Sequence, residues 1–435
     1  MDATTLAILL TVCLFAFLGS GLWIGMALAA VGFVAIETFT TRPSGLMFAT
    51  STWGANNSWS LTALPMFIWM GEILFRSRLA EDMFKGLAPW MQRLPGRLLH
   101  TNVYGCGIFA AISGSSAATA ATIGKMTIPE LRRRGYDDFM VVGSLAGSGT
   151  LGLLIPPSII MIVYGVAAQV SIARLFIAGV VPGIVLMLIF SGIVMVYAWM
   201  QPARIPPADA PMSFVQKLDQ SRRLIPTVLL IVLVLGSIYG GYATPTESAV
   251  LGVVGSLILA LATGGLTAET FWQSVTGAVR TSCMIGLILT GAAFMSTAMG
   301  LTGLPRLFAD WISHMQLSQG ALIAALTVVF IVMGCFIDGI SMVVLTTSVI
   351  LPAVQAAGID LLWFGIFIVL VVEMAQITPP VGFNLYVLQS LARKNMGYVA
   401  LAALPFFVGM IAMVALVTVA PGLVTWLPEQ MLGAK

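Results

Sequence analysis

The chain has 435 residues, of which 59% are apolar and only 9% are charged, whereas a soluble domain carries roughly 25% charged residues. Together with a mean hydropathy of +1.01, this composition excludes an ordinary soluble protein and predicts an all-α polytopic protein of the lipid bilayer. The net charge of +3 gives no reason to expect a nucleic-acid partner. The four cysteines have no paired spacing, which predicts neither disulfides nor a metal site.

Long apolar runs predict the membrane spans in chain order. Residues 40–59 contain no predicted span, and Asn56 and Asn57 are typical of an outer loop. The spans are predicted at residues 5–18, 21–38, 60–75, 138–168, 173–199, 225–242, 247–263, 277–300, 361–392 and 397–420, with two special cases at 98–127 and 320–352.

The two special stretches are interrupted at their midpoints by small and polar residues. The interruptions read "AISGSSAATAA" at 111–121 and "CFIDGIS" at 335–341. Irregular backbone at membrane depth is tolerated only where it is buried in protein or lines a wet cavity. Both stretches are therefore predicted to be re-entrant helical hairpins that return to the side from which they entered.

With these hairpins, the lysines and arginines separate between the two sides of the membrane. Sixteen of the 20 lie in segments 76–97, 125–134 and 201–223 or at Arg280, Arg393 and Lys394. The positive-inside rule places this majority in the cytoplasm and both termini on the outer side, which for a bacterial inner membrane is the periplasm. The run Arg132–Arg134 is interpreted as a topology anchor, with a binding patch as the alternative. The four lysines and arginines outside these cytoplasmic segments are Arg42, Arg174, Arg306 and Lys435.

An internal repeat is visible in the prolines and glycines. The Pro156-Pro157 and Pro379-Pro380 pairs are 223 residues apart, and the same offset relates other Gly and Pro positions. A surface helix at 77–94 has its counterpart in "TGLPRLFADWISHM" at 302–315. The charge split places the first of these helices in the cytoplasm and the second outside, so the two copies are predicted to be inverted. Inverted repeats with broken helices are typical of secondary transporters. The other pairs of Gly or Pro residues that are 223 residues apart are Pro129 with Pro352, Gly135 with Gly358, and Pro182 with Pro405.

The Pro-Pro pairs predict breaks in the helices at about 138–168 and about 361–392. Proline has no N–H and clashes with the preceding turn, so it leaves carbonyl groups without a helical partner. Hard cations such as sodium prefer oxygen ligands, and two matched breaks therefore predict two cation sites. The alternative is a pair of kinks whose carbonyls are satisfied by neighbouring helices.

The paired motifs resemble the large membrane subunit of TRAP transporters, the tripartite ATP-independent periplasmic systems. They are "GSGTLGLLIPPS" at 147–158, "SGSSAATAA" at 113–121, and "GCFIDG" with "ITPPVGFNLYVL" at 334–339 and 377–388. The resemblance implies an elevator-type transporter, not an enzyme, that imports an organic anion such as a carboxylate with sodium and needs no organic cofactor. It also implies a periplasmic substrate-binding protein and a small four-helix membrane subunit on a separate chain.

The resemblance also implies the ligands of two sodium sites. Serines of the first hairpin and backbone oxygens at the first break form the first site, and the offset carries the second site to the second hairpin and break. The serines could instead be packing residues, Asp338 could instead cap a helix, and Glu373 is either proton-coupled or paired with a neighbour. The first site comprises Ser113, Ser116, Gly152, Ile155 and Pro157, and the second comprises Gly334, Asp338, Gly339, Thr378 and Pro380.

Four segments describe the predicted organisation. Scaffold spans occupy 1–59, the first repeat 60–200, a cytoplasmic linker with further scaffold spans 201–276, and the second repeat 277–425. A standalone anion symporter or exporter with related hairpins, working without a binding protein, is the main alternative. A channel is a further alternative, and an intramembrane protease is disfavoured because no recognisable protease motif occurs.

Overall fold

A computed structural model of the chain describes residues 3–77, 79–209, 212–303, 307, 314–315, 317–335, 337–380 and 382–433. Within these ranges the regular structure is entirely helical. Five of the described helices are long and apolar enough to cross a membrane, or up to eight if each of three bent helix pairs is one span. The prediction of an all-α polytopic membrane protein is confirmed.

The first half of the chain runs from α1 to α10, and its long apolar helices agree with the predicted spans. The first predicted hairpin consists of α6 and α7, and the first broken helix consists of α8 and α9, which are bent by 41°. The helices are α1 (Ala3–Gly19), α2 (Ile24–Phe39), α3 (Ser44–Asn56), α4 (Ala63–Phe75), α5 (Leu79–Met91), α6 (His100–Ser113), α7 (Ser116–Arg133), α8 (Asp138–Leu154), α9 (Ile159–Ala167) and α10 (Ile172–Met200).

The second half repeats this order after the short surface helix α11. Several of its helices begin at side-chain caps, for example Thr244 with Glu247 before α13 and Asp360 before α17, as expected for such residues at helix starts. The helices are α11 (Phe214–Ser221), α12 (Ile225–Tyr239), α13 (Pro245–Ala262), α14 (Ala268–Thr302), α15 (Gln319–Gly334), α16 (Gly339–Ala356), α17 (Leu361–Gln376), α18 (Phe383–Ala392), α19 (Met396–Val419) and α20 (Gly422–Leu432).

The offset of 223 residues recurs in the bounds of the helices. Shifted by this number, α7 coincides with α16, and α8 coincides with α17 to within one residue. The match extends upstream, because α2 falls on α13 and the bent pair of α3 and α4 falls on the continuous helix α14. Two halves of the chain therefore fold in the same order of elements.

Three helices were not predicted from the sequence. The assignment of Asn56 to an outer loop was wrong, because Asn56 is the last residue of α3 and donates a hydrogen bond from Nδ2 to Thr290 Oγ1 at 2.7 Å. Helices α11 and α20 also fall in segments for which no helix was predicted. Most of the predicted outer surface helix at 302–315 lies outside the described residues.

The long helices pack as two groups, each of which takes helices from both halves. In the flanking group, α1–α4 and α12–α14, helix α2 packs on α14 and α4 packs on α13. The first contact is so close that a Cβ atom at Gly291 would lie 2.0 Å from the carbonyl oxygen of Gly25. The hairpin group consists of α6–α10 and α15–α20, and it contains both hairpins and both broken helices.

The basic segments of the chain meet on one face of the molecule. Arg134 forms an ion pair with Asp209, Arg223 lies 3.4 Å from Asp82, and Asp138 forms ion pairs with both Arg132 and Lys394. These contacts join segments 76–97, 125–134, 201–223 and 393–394, which the charge pattern assigned to one side of the membrane. We call this the basic face.

Candidate functional site

The first hairpin turns at Gly114 and Ser115. Gly114 ends α6 with a φ of +62°, a conformation that glycine adopts without strain. Ser115 caps α7, because its side-chain oxygen accepts a hydrogen bond from the amide of Ala118 at 3.4 Å. Ser113 Oγ lies 2.7 Å from Thr119 Oγ1, and Thr119 Oγ1 donates to the carbonyl oxygen of Ser115 at 2.8 Å. The tip thus concentrates hydroxyl and carbonyl oxygens in a few residues.

The first break separates α8 from α9 at residues 155–158. The nitrogens of Pro156 and Pro157 carry no hydrogen, so they cannot donate to the carbonyl groups of Gly152 and Leu153 four residues earlier. Helix α9 restarts at a second serine cap, where Ser158 Oγ accepts from the amide of Met161 at 3.4 Å. The break therefore presents carbonyl oxygens within a buried part of the hairpin group.

The tip of the first hairpin lies directly on the first break. A Cβ atom at Gly152 would lie 2.5 Å from the carbonyl oxygen of Ser115 and 2.8 Å from the amide nitrogen of Ser116. Across the same contact, the amide of Ile159 donates to the carbonyl oxygen of Gly114 at 3.3 Å. Main chain touches main chain here, and only glycine at position 152 permits it.

The structure therefore brings together the residues predicted for the first site. Ser113 and Ser116 are both buried at the tip, and Gly152 and Pro157 are buried at the break. A Cβ atom at Gly114 would lie 2.8 Å from the carbonyl oxygen of Pro157. Ile155 is half-buried, and its side chain packs against Gly183 of α10. Ligation of a sodium ion by these residues remains a prediction.

The second hairpin turns between Gly334 and Gly339 and lies on α17. A Cβ atom at Gly334 would lie 2.1 Å from Cβ of Ala375, and one at Gly339 would lie 3.1 Å from Nε2 of Gln376. Asp338 caps α16, because its Oδ2 accepts from the amides of Ile340 at 3.1 Å and of Ser341 at 3.2 Å. The cap that the sequence offered as an alternative for Asp338 is thus present.

The second break differs from the first in exposure and in hydrogen bonding. Thr378 is half-buried and Pro380 is exposed, whereas their counterparts Ile155 and Pro157 are half-buried and buried. Thr378 Oγ1 donates to the carbonyl oxygen of Met374 at 2.7 Å, and its amide donates to that of Ala375 at 3.2 Å. Some carbonyls before this break are therefore satisfied locally, and the two breaks are not chemical copies of one another.

Several buried polar residues were missed or left open by the sequence. Thr119 and Gln376 take part in the two tip contacts but were not predicted, although Thr119 lies one helical turn after Ser116, on the same face of α7. Glu373 is fully buried on α17, and neither of its carboxylate oxygens has a hydrogen-bond partner among the described residues. An ionisable side chain inside a membrane protein is a functional candidate by default.

The donor set suits a hard cation better than a transition metal. Within the residues that the structure describes, no three His, Cys, Asp or Glu side chains come together. The hairpin tips and breaks instead offer serine and threonine hydroxyl groups and backbone carbonyl groups. Such oxygens are the ligands that alkali and alkaline-earth cations prefer, and broken helices of secondary transporters use them for sodium.

Repeated halves, broken helices and hairpin tips on the breaks define a helical membrane transporter. Residues 11–423 match the family described as "Tripartite ATP-independent periplasmic transporter, DctM component". The chain therefore belongs to the family of large permease subunits of TRAP transporters. Members of this family transport substrates and are not enzymes. This family works with a small membrane subunit and a periplasmic binding protein.

Two relatives and one solved structure set the range of similarity. The C4-dicarboxylate TRAP transporter large permease protein DctM of Pseudomonas aeruginosa is 31% identical over 85% of this chain and 86% of its own length. The isethionate TRAP transporter permease protein DctMQ of Oleidesulfovibrio alaskensis is 30% identical over 94% of this chain and 64% of its own. The YdaH transporter of Alcanivorax borkumensis has a TM-score of 0.64 at 13% identity over 92% of this chain and 97% of that chain, which shows the shared fold alone.

Proposed function

We propose that this chain is the sodium-coupled permease subunit of a TRAP system that imports an organic anion. The observation that carries the proposal is the seating of Ser115 and Ser116 on Gly152, which puts tip oxygens beside carbonyls that no proline nitrogen can satisfy. A sodium ion between tip and break would complete their coordination. Two matched breaks support two ions, with the second held by the tip and break residues around Asp338 and Thr378.

The substrate is an anion, which we propose to be a carboxylate. Helices α7 and α16 begin at the two hairpin tips, and α9 and α18 begin just after the two breaks. Helix N-termini carry partial positive charge and bind anions in the broken helices of transporters. One relative is named for C4-dicarboxylates and another for isethionate, so a sulfonate is the nearest competing class of substrate.

The hairpin group is proposed to move as the elevator against the flanking group. Both hairpins and both breaks belong to the hairpin group, and the flanking group is held by the close contacts of α2 with α14 and of α4 with α13. The repeats proposed from the sequence at 60–200 and 277–425 contain both hairpins and both breaks, but they also include α4 and most of α14, which belong to the flanking group with the segments 1–59 and 201–276. The inner membrane, with both termini in the periplasm, is the proposed location because of the charge asymmetry.

The partners are proposed to be a small membrane subunit on a separate chain and a periplasmic binding protein. This chain matches 86% of the length of a relative named a large permease protein alone. The test is uptake of labelled organic acids into proteoliposomes that contain both membrane subunits, with the binding protein outside. Uptake should require sodium and should not be supported by choline or by a pH gradient. Undiminished uptake without sodium, or without the binding protein, would contradict the proposal.

A further inference from the structure

A cavity of about 720 Å³ opens on the basic face. It is enclosed by the surface helix α5, by the last turns of the hairpin helix α7, and by the linker with α11. The residues proposed to bind sodium do not line it. It lies where a part of the hairpin group meets the two surface helices.

The cavity is lined by more cations than anions. Its three acidic side chains are engaged, since Glu81 pairs with Lys85, Glu130 pairs with Arg133 and Arg134, and Asp209 pairs with Arg134. Arg93, Lys125 and Lys217 form no ion pair with another described residue. The lining cations are Lys85, Arg93, Lys125, Arg133, Arg134 and Lys217.

Two of these lysines lie against aromatic rings instead of carboxylates. Lys217 is buried, with its Nζ atom 5.8 Å from the centre of the Trp90 ring, and Lys125 Nζ lies 4.6 Å from the centre of the Phe75 ring. Such contacts stabilise a cation without neutralising it. The cavity therefore keeps a positive potential that an anionic group would complement.

The surroundings indicate which anion this is. Beside the cavity, α11 leaves Phe214, Val215 and Leu218 largely exposed, and Phe214 packs edge-on against Trp90 with ring centres 6.2 Å apart. A short amphipathic helix with exposed apolar side chains on a membrane protein lies in the lipid interface. The apolar side of α11 is therefore suited to contact acyl chains beside the cavity, whose own lining includes Phe84 and Met126.

We propose that this cavity binds the headgroup of an anionic phospholipid from the leaflet on the basic face. The phosphate is met by Arg93, Lys125 and Lys217, while the acyl chains run along the exposed apolar side of α11. Basic pockets beside interfacial helices are suited to such headgroups. A bound lipid would bridge α11 and α7, and so would link the linker to a hairpin helix.

The test is a lipid titration of the purified, delipidated full chain by native mass spectrometry. Phosphatidylglycerol is compared with phosphatidylcholine of the same acyl chains. The double variant Arg93→Gln/Lys125→Gln should lose about fivefold in phosphatidylglycerol affinity for each charge removed, or about 25-fold in all. The matched control Arg222→Gln/Arg280→Gln removes two charges that do not line the cavity, and its affinity should stay close to that of the wild type.

Two results would overturn the proposal. One is equal phosphatidylglycerol affinity of the wild type and the double variant at the same thermal midpoint. The other is displacement of the lipid by glycerol 3-phosphate or succinate at concentrations similar to that of the lipid, which would make the cavity a site for soluble anions. If the double variant has a lowered thermal midpoint, Lys125→Arg is tested as well. This variant keeps the charge and should keep its phosphatidylglycerol affinity.

Discussion

The phenolic oxygen of Tyr164 lies 2.7 Å from the carbonyl oxygen of Leu361, to which it donates a hydrogen bond. Tyr164 is a fully buried residue of α9, and Leu361 is the first residue of α17. The ring of Tyr164 also covers Gly365, where a Cβ atom would lie 2.5 Å from Cε1. The broken helix of the first half is therefore fastened directly to that of the second half.

Removal of this hydroxyl group should loosen the connection between the two broken helices. Tyr164→Phe keeps the ring against Gly365 but removes the hydrogen bond from the hydroxyl group to the Leu361 carbonyl, and a lost hydrogen bond of this kind costs about 0.5–1.5 kcal/mol. We expect a lower thermal midpoint in detergent. Tyr242→Phe is the matched control, because Tyr242 is 90% exposed. Equal midpoints for the two variants would show that this hydrogen bond does not hold the halves together.

The contact between Gly152 and the first hairpin tip gives a second prediction. Gly152→Ala places a methyl group 2.5 Å from the carbonyl oxygen of Ser115, and backbone on both sides cannot move aside cheaply. Overpacking of this kind costs about 1–3 kcal/mol and should push the tip off the break, with loss of sodium-driven uptake. Gly192→Ala on α10 adds the same methyl group where no atom lies within 4 Å. It should transport normally, whereas normal uptake by Gly152→Ala would mean that tip and break need not touch.

Features that depend on local chemistry were predictable from the sequence. Proline pairs remove amide donors wherever they occur, and a Ser-Gly-Ser-Ser run disfavours a continuous helix, so the first break and first tip followed from their residues. The common offset then gave the position of the second pair. These inferences needed no knowledge of which helices touch.

Features that depend on tertiary contacts were not predictable. Helix α3 has the sequence SGLMFATSTWGAN and no buried residue, and its Gly, Ser, Thr and Asn content disfavours an isolated helix. It is held by long-range bonds to α14, such as Asn56 to Thr290. At the second break, the offset already shows in the sequence that Thr378 replaces Ile155. The exposure of Pro380 and the hydrogen bond from Thr378 to Met374 depend on the fold and could not be predicted. Helix α11 is different, since the Ser213 and Gln216 capping box was a local signal that the sequence analysis overlooked.

The orientation of the chain can be tested by labelling single cysteines. The free cysteines at 13, 106, 283 and 335 are first replaced. In intact cells, an impermeant maleimide should not modify Arg133→Cys and should modify Gly358→Cys, because the charge asymmetry puts the basic face in the cytoplasm. Modification at both positions after permeabilisation is the control. Labelling at 133 from outside would contradict the re-entrant course of the first hairpin.

The sharpest test of the proposed first sodium site compares two neighbouring serines with different predicted roles. Ser115 caps α7, so Ser115→Ala should cost about 1 kcal/mol of stability and leave the sodium midpoint of uptake unchanged. Ser116→Ala removes a proposed ligand with little volume. The loss of a contact to a charged group costs about 1.5–3 kcal/mol, which should raise the sodium concentration for half-maximal uptake roughly 10- to 150-fold. Substrate preference should stay the same, because the proposed anion contacts are made by main-chain amides at the helix N-termini, which Ser116→Ala keeps. Sodium titrations of uptake at matched expression distinguish the roles, and an unchanged midpoint in Ser116→Ala would make both serines structural.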